Sequence, residues 1–174
     1  RTTWSSSSER LLEAVNPESS VRGAVGRDGS GHRGKSLIKA VFFDFDGVLT
    51  MDRTGSLTTN RYLSRVTGIP LSTVDAVFGR YNDALTLGRT SYARIWQEIG
   101  RELGRELSID LLYEAFASTP LNARMFALAR GLQKGYSVAI ITDNKKERIA
   151  HLKTSADLES LFDPIVVSAE VGAR

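Results

Sequence analysis

The chain has 174 residues, of which 41% are hydrophobic and 25% are charged, enough for the core of one domain or of one domain with an insertion. The sequence contains no Cys, which excludes disulfides, thiolate metal sites and cysteine catalysis. Its net charge of +3 arises within residues 1–39, so the remainder offers no basic surface for nucleic acid. Because no apolar run reaches the length of a membrane span, we expect a cytoplasmic protein that binds neither nucleic acid nor membrane.

The first part of the chain, residues 1–37, is polar, with a serine run at Ser5–Ser8 and frequent glycines. We interpret it as a disordered leader in which only Glu9–Val15 has the spacing of a short amphipathic helix. The sequence begins with Arg1 rather than Met, which is typical of a fragment or a processed product.

An acidic pair follows the first apolar run of the chain. Lys39–Phe43 has the composition of a buried strand, and Asp44, Asp46 and Gly47 come directly after it. Residues two apart on an extended backbone share a face, so the two carboxylates are expected to converge. Two such anions require a cation, a proton or a hydrogen-bond donor between them, and Mg²⁺ prefers oxygen ligands of this kind. An ordinary acidic turn after a strand is the alternative interpretation.

The segment from residue 53 to residue 119 has helical periodicity. Pro70 is a typical first residue of a helix, and Thr90 or Ser91 and then Ser108 are candidate caps of two further helices. Apolar residues recur at helical spacing, which predicts a small helical bundle whose aromatic residues form its core. The stripes comprise Val74, Val77, Phe78 and Tyr81; Tyr92, Ile95, Trp96, Ile99 and Leu103; and Ile109, Leu112, Tyr113 and Phe116.

The chain then alternates between helix and strand. The pattern predicts a helix over Asn122–Lys134, strands over Tyr136–Ile141 and Ile165–Ser168, and a basic helix between these strands. Such alternation indicates a parallel sheet, in which ligands bind at the carboxyl ends of the strands. Three polar residues, Asp44, Thr142 and Ser168, are expected at those ends, whereas Lys145, Lys146 and Arg148 are interpreted as a solvated helix face.

The residues from Asp44 to Thr50, Asp-Phe-Asp-Gly-Val-Leu-Thr, resemble the first signature of the haloacid dehalogenase-like (HAD) hydrolase superfamily, in the form carried by its phosphatases and phosphomutases. The resemblance extends from about Lys39 to the C-terminus. It implies an α/β fold: a partial, Rossmann-like parallel sheet with an inserted α-helical cap. The expected boundaries place the HAD-like core in residues 38–52 and 120–174 and the cap in residues 53–119.

The resemblance also implies roles for individual residues. Asp44 would be the nucleophile that becomes an aspartyl phosphate, and Asp46 would be the general acid and base. Mg²⁺ would be held by the Asp44 carboxylate and the main-chain carbonyl of Asp46, which leaves the Asp46 side chain free for proton transfer. Gly47, Thr142 and Asn144 would bind the phosphoryl group.

Two further elements of the family pattern are missing from the sequence. We find no third-motif lysine after Val166–Arg174, where the resemblance would place it, and no acidic pair after a fourth strand. We therefore expect a truncated member with impaired activity. Because the family places the fourth strand beside the first, we also expect an open apolar edge and poor solubility.

These patterns favour a Mg²⁺-dependent hydrolase of small phosphomonoesters that acts through an aspartyl phosphate and is similar to phosphoglycolate phosphatase. The alternatives are a sugar phosphomutase similar to β-phosphoglucomutase and a non-catalytic remnant or binding module. The expected partner is a small phosphorylated metabolite, and the sequence does not indicate an oligomeric state.

Overall fold

The structure, a computed structural model, describes residues 38–173. The leader expected at residues 1–37, including the short helix at Glu9–Val15, lies outside the described residues.

A parallel sheet forms the base of the candidate site. Strands β1 (Ala40–Phe43), β2 (Ser137–Thr142) and β3 (Ile165–Val167) are arranged in the order β1-β2-β3, with β1 and β3 each parallel to β2. The strands are rich in Val, Ile and Phe, which pack well on a pleated surface. The predicted α/β class and the parallel sheet are therefore confirmed.

Four helices follow β1 and the turn after it, between residues 55 and 117. They are α1 (Gly55–Thr67), α2 (Leu71–Thr86), α3 (Tyr92–Glu102) and α4 (Asp110–Ala117). Pro70 precedes α2 as predicted, and the Ser108 hydroxyl accepts a hydrogen bond from the N–H of Asp110 at 3.2 Å. Helix α1 was not delimited from the sequence, because its start is rich in Gly, Ser and Thr, which are weak helix formers.

Helices α5 (Ala123–Leu132) and α6 (Lys146–Ser155) flank β2 along the chain, and the short α7 (Ser168–Val171) follows β3. The Asn122 side chain caps α5 by accepting a hydrogen bond from the N–H of Met125 at 3.4 Å. These bounds agree with the predicted order of helix and strand. None of the helices described between residues 38 and 173 has the length and apolar character that a membrane span requires.

The buried apolar side chains form two clusters. One joins the sheet to α5 and α6 and includes Phe43, Phe45, Leu49, Phe126, Ile140, Ile149, Leu152, Phe162 and Val167. The other lies within the helices α1 to α4 and includes Leu63, Val74, Phe78, Tyr92, Trp96, Ile99, Leu112 and Phe116. Most aromatic residues of the predicted stripes thus lie in or against this core, as predicted, whereas Tyr113 is 40% exposed, so its placement in the core was wrong.

Two short antiparallel connections join the helical segment to the sheet. The N–H of Met51 donates to the carbonyl of Pro120, and the N–H of Asn122 donates to the carbonyl of Leu49, each at 2.8 Å. The paired bonds place the exit from the first motif beside the return into α5. This arrangement fixes the start of α1 close to the turn that follows β1.

The outer face of the sheet is apolar and exposed in the part of the chain that the structure describes. Ile38, Phe42 and Ile141 are 62%, 55% and 52% exposed, and β1 lies at the edge of the sheet. The edge position expected for the first strand is observed. The poor solubility expected from it stays a prediction.

Candidate active site

The acidic pair lies in a tight turn that follows β1. Phe45 and Leu49 in this turn are buried, which anchors it, and the N–H of Thr50 closes it by donating to the carbonyl of Phe45 at 3.0 Å. Gly47 has a φ of +75°, in the left-handed region that favours glycine. The turn therefore presents Asp44 to solvent while the buried Phe45 side chain holds the backbone in place.

A cleft of about 570 Å³ opens above the carboxyl ends of β1 and β2. It brings together the predicted site residues Asp44, Asp46 and Thr142, and its lining continues onto α1 and α2. Asp143 and Lys145, which follow β2, line the same cleft. The strand-end prediction thus located the cleft, and the volume is in the range of small-molecule sites.

The charge of Asp44 is only partly compensated in this arrangement. Loss of hydration raises the pKa of the Asp44 carboxyl above its usual value, and the nearby charges of Asp46 and Asp143 act in the same direction. Hydrogen bonds from the Phe45 N–H, at 2.7 Å, and from the Thr142 hydroxyl lower the pKa but do not offset these effects. A cation bound here would relieve the remaining repulsion.

The side chain of Asp46 is held by several donors. Its Oδ2 accepts hydrogen bonds from the Gly55 N–H at 2.8 Å, from Asn144 Nδ2 at 2.8 Å and from Arg148 Nη1 at 3.0 Å. Its Oδ1 accepts from Arg148 Nη2 at 2.9 Å. The expectation that this side chain is free is therefore wrong for the observed arrangement, because four donated hydrogen bonds engage its two oxygens.

Of the three basic residues interpreted as a solvated helix face, Lys146 is exposed as predicted, whereas Lys145 and Arg148 are buried. Arg148 is 1% exposed and forms a bidentate ion pair with Asp46. Lys145 is 9% exposed, and its Nζ donates to the Ser56 hydroxyl of α1 at 3.1 Å. The interpretation of these two side chains as solvated is wrong, because the start of α6 points toward the cleft and toward the first turn of α1.

The predicted phosphate-binding residues occupy different positions. Thr142 is buried at the cleft, where its hydroxyl lowers the pKa of the Asp44 carboxyl. Asn144 is 1% exposed. Its Nδ2 donates a hydrogen bond to Asp46 Oδ2, and its Oδ1 accepts a hydrogen bond from Arg148 Nη1 at 3.1 Å. The N–H of Gly47 donates to the Thr50 hydroxyl at 3.1 Å. Of the three, only Thr142 interacts with Asp44 in this structure.

Ser168, the third polar residue expected at a strand end, supports the loop after β2. Its hydroxyl accepts a hydrogen bond from the Asn144 N–H at 3.0 Å and donates to the carbonyl of Thr86 at 2.9 Å. The side chain is 5% exposed, so it connects the loop after β2 to the end of α2 rather than facing the cleft.

The oxygen donors at the cleft are of the type that Mg²⁺ prefers. The Asp44 carboxylate is exposed, and the negative charges of Asp46 and Asp143 near it favour a cation. Within residues 38–173, no cluster of three or more His, Cys, Asp or Glu side chains has the arrangement of a metal site. The Asp44 carboxylate beside the charges of Asp46 and Asp143 would suit an ion that takes few protein ligands and completes its coordination with water and phosphate, as Mg²⁺ does.

Solved structures with the same fold were found by comparison. A predicted HAD-like family hydrolase from Porphyromonas gingivalis is 20% identical, with a TM-score of 0.59 over 80% of this chain and 70% of that one. A HAD family enzyme from Bacteroides thetaiotaomicron in a magnesium complex is 17% identical, with a TM-score of 0.61 over 79% and 71%. L-2-haloacid dehalogenase from Xanthobacter autotrophicus is 16% identical, with a TM-score of 0.51 over 79% and 59%.

No protein-family model matches the sequence, and no curated protein is significantly similar to it. The structural neighbours nevertheless agree with each other, since all three are HAD-type enzymes. The chain thus has the HAD-like fold that the first motif predicted.

Proposed function

Proceeding from the HAD-like fold, we propose that the chain is a Mg²⁺-dependent hydrolase of small phosphomonoesters. The observation that carries the proposal is the position of Asp44, an exposed carboxylate that lines the same cleft as Thr142 and Asp46 at the carboxyl ends of β1 and β2. A carboxylate in such a position can act as a nucleophile, and a second carboxylate beside it can transfer protons.

In the first step, an oxygen of the Asp44 carboxylate attacks phosphorus and the bond to the leaving oxygen breaks. The electron pair of that bond departs with the leaving oxygen, which takes a proton from Asp46. To carry this proton, Asp46 Oδ1 must exchange its hydrogen bond from Arg148 Nη2 for the proton, while Oδ2 keeps its bond to Arg148 Nη1. The Thr142 hydroxyl donates to a phosphoryl oxygen as negative charge develops there. The product of this step is an aspartyl phosphate on Asp44 and a free alcohol.

In the second step, a water molecule attacks phosphorus and the bond to Asp44 breaks. Asp46, now ionised, accepts the proton of this water, so both carboxylates return to their starting state. The Asp44 carboxylate and the main-chain carbonyl of Asp46 are the groups that would hold Mg²⁺, which when bound neutralises phosphoryl charge.

Lys145 supplies positive charge to the cleft. It follows β2 directly, lines the same cleft as Asp44, and reaches Ser56 on α1 with its ammonium group. We propose that this ammonium group attracts the phosphate of the substrate, a role in which the family uses a lysine from its third motif. Lys153, by contrast, pairs with Glu159 on the surface at 3.5 Å.

The decisive experiment measures inorganic phosphate released by the full chain with and without Mg²⁺. Phosphoglycolate, β-glucose 1-phosphate and p-nitrophenyl phosphate are suitable substrates. Conversion of β-glucose 1-phosphate to glucose 6-phosphate without phosphate release would instead indicate the sugar-phosphomutase alternative. We expect Mg²⁺-dependent release that Asp44→Asn abolishes and that the surface variant Lys153→Met retains. As a readout without turnover, Mg²⁺ should raise the melting temperature of the wild type more than that of Asp44→Asn.

A non-catalytic binding module is the second candidate. The donors that engage the Asp46 carboxylate favour it, because they tie this side chain to its neighbours instead of leaving it free to exchange a proton with a substrate. It predicts that phosphate stabilises the protein against heat while none of the phosphomonoesters is hydrolysed.

A further inference from the structure

Arg148 is buried at the base of the candidate site, where it pairs with Asp46. Its side chain is 1% exposed, and both terminal nitrogens bond the Asp46 carboxylate, at 2.9 and 3.0 Å. A bidentate guanidinium–carboxylate pair fixes both the position and the plane of the carboxylate. The pair joins residues that the chain separates by 102 positions.

The surroundings of Arg148 fit the guanidinium closely. Its Nη1 also donates to Asn144 Oδ1 at 3.1 Å, and its Nη2 lies 3.4 Å from the Thr119 hydroxyl. The guanidinium carbon lies 5.5 Å from the centre of the Phe45 ring, within the range of a cation–π contact. Nε is buried without a hydrogen-bond partner in the described part of the chain, so burial of this side chain depends largely on Asp46.

The first turn of α1 contacts the same pair. The N–H of Gly55 donates to Asp46 Oδ2 at 2.8 Å, and a Cβ built on Gly55 would lie 2.4 Å from the guanidinium carbon of Arg148. Only glycine at position 55 leaves room for the guanidinium where the structure has it. The start of the helical segment, the acidic pair and α6 therefore meet at one ion pair.

We propose that Arg148 is a positioning residue that orients the Asp46 carboxylate for proton transfer beside Asp44. This inference rests on the proposed function for its catalytic consequence, whereas the ion pair itself can be tested without turnover. If Arg148 acts through Asp46, its removal has no effect of its own once the Asp46 carboxylate is absent. If Arg148 merely supported the fold, its replacement would lower the activity of the wild type and of Asp46→Asn by the same factor.

The kinetic test compares the wild type, Arg148→Met, Asp46→Asn and the double variant, each as the full chain with Mg²⁺. The readout is kcat/KM for glycerol phosphate, whose alkoxide leaving group needs a proton, and for p-nitrophenyl phosphate, whose leaving group does not. For glycerol phosphate we expect Arg148→Met to lose about 10²-fold, at the lower end of general acid–base effects. For p-nitrophenyl phosphate the loss should be less than about tenfold by the same reasoning.

The double variant should be no less active toward glycerol phosphate than Asp46→Asn, and Arg148→Lys should recover part of the lost activity. Losses that multiply in the double variant, or equal losses for the two substrates, would overturn the proposal while leaving the phosphatase intact. Lys153→Met is the matched control, because Lys153 belongs to the same helix and pairs on the surface.

A second variant, Gly55→Ala, tests the same proposal in case Arg148→Met does not fold. In Gly55→Ala the main-chain donor is retained but the methyl group displaces the guanidinium, so we expect the same selective loss toward glycerol phosphate. Gly131→Ala in α5 is its control, because a Cβ there meets nothing within 4 Å. Unchanged selectivity in Gly55→Ala would count against the proposal.

If the chain releases no phosphate, melting temperatures of the same four proteins test whether Arg148 and Asp46 stabilise the fold as a coupled pair. Asp46→Asn leaves a buried guanidinium without its counter-ion, so the double variant with Arg148→Met should melt at a higher temperature than Asp46→Asn alone. In that case the proposed function fails and the ion pair stands. Additive shifts in melting temperature, as expected for the surface pair of Lys153 and Glu159, would refute the ion pair as a coupled unit.

Discussion

The side-chain amide of Asn144 donates a 2.8 Å hydrogen bond to the carboxylate of Asp46, although the two residues are 98 positions apart. The sequence had suggested separate roles for them, one as a ligand of phosphate and one as a proton carrier. The structure instead places Asn144 behind Asp46, buried and bonded to both Asp46 and Arg148. Asn144 thus helps to hold the Asp46 carboxylate and the Arg148 guanidinium in place.

Replacing Asn144 with Ala should destabilise the protein. The change leaves Asp46 Oδ2 and Arg148 Nη1 each short of one partner in a buried environment, and such losses typically lower the free energy of unfolding by about 1–3 kcal/mol. Urea unfolding measures the effect. Gln133→Ala is the control, because that exposed amide donates only to main-chain carbonyls of the turn before β3. Equal stabilities of the two variants would show that Asn144 does not support the pair.

The stability of the wild type should depend on the ionisation of Asp44. The pKa of this group is raised above its usual 3.8, chiefly by loss of hydration, so the folded state binds the proton more tightly than the unfolded state. The stability that this group contributes is fully present below a pH of about 3.8 and is lost as the pH rises through the raised pKa.

It follows that Asp44→Asn, which carries no charge at any pH, should melt at a higher temperature than the wild type at neutral pH. The difference should shrink as the solution is acidified, because the wild-type carboxyl then becomes neutral as well. Calorimetry across this range provides the measurement, with the exposed Glu106→Gln as a control for the substitution. A variant that is less stable at neutral pH would contradict the assignment of Asp44 as a functional residue held at the expense of stability.

Thr142 should be sensitive to loss of its hydroxyl rather than to loss of its methyl group. Thr142→Ala removes the donor to Asp44 and to the phosphoryl group, so we expect kcat/KM for phosphate release to fall by about 10²-fold. Thr142→Ser retains the hydroxyl and should keep most of the activity. Thr67→Ala, in α1 and hydrogen-bonded only to the carbonyl of Leu63 and the N–H of Ile69, is the control. Similar losses in the Ala and Ser variants would argue for packing instead.

The exposed face of the sheet should promote self-association. Phe42 and Ile141 project from neighbouring strands, are 55% and 52% exposed, and lie near the open edge at β1. Phe42→Lys places a charge on this face and should raise the concentration at which light scattering detects association. Tyr113→Lys, which removes another exposed aromatic from α4, should leave association unchanged. If both variants associate like the wild type, another surface is responsible.

The cleft was predictable from the sequence because its geometry follows from strand order. Apolar runs ending at Phe43 and Thr142 identify two strands, and parallel strands connected by helices present their carboxyl ends at one edge. The convergence of Asp44 and Thr142 required no knowledge of side-chain packing. The helical stripes were equally predictable, because Val74, Val77 and Phe78 recur at the helical period.

Arg148 could not be assigned in the same way. A basic run at the start of a helix is ordinarily solvated, and the partner of Arg148 lies far away in sequence, where only tertiary structure brings it close. One signal was available: Arg148 precedes Leu152 by four positions, so it shares a helix face with a buried apolar residue. A cation on an apolar stripe indicates a buried counter-ion.

The most direct test of the account is to trap the intermediate on Asp44. The full chain would be incubated with Mg²⁺ and p-nitrophenyl phosphate, quenched in acid, reduced with borohydride, and digested for mass spectrometry. An aspartyl phosphate would be reduced to homoserine, so we predict homoserine at position 44 in the wild type and none there in Asp44→Asn. Phosphate release without modification of Asp44, or modification at another carboxylate, would contradict the account.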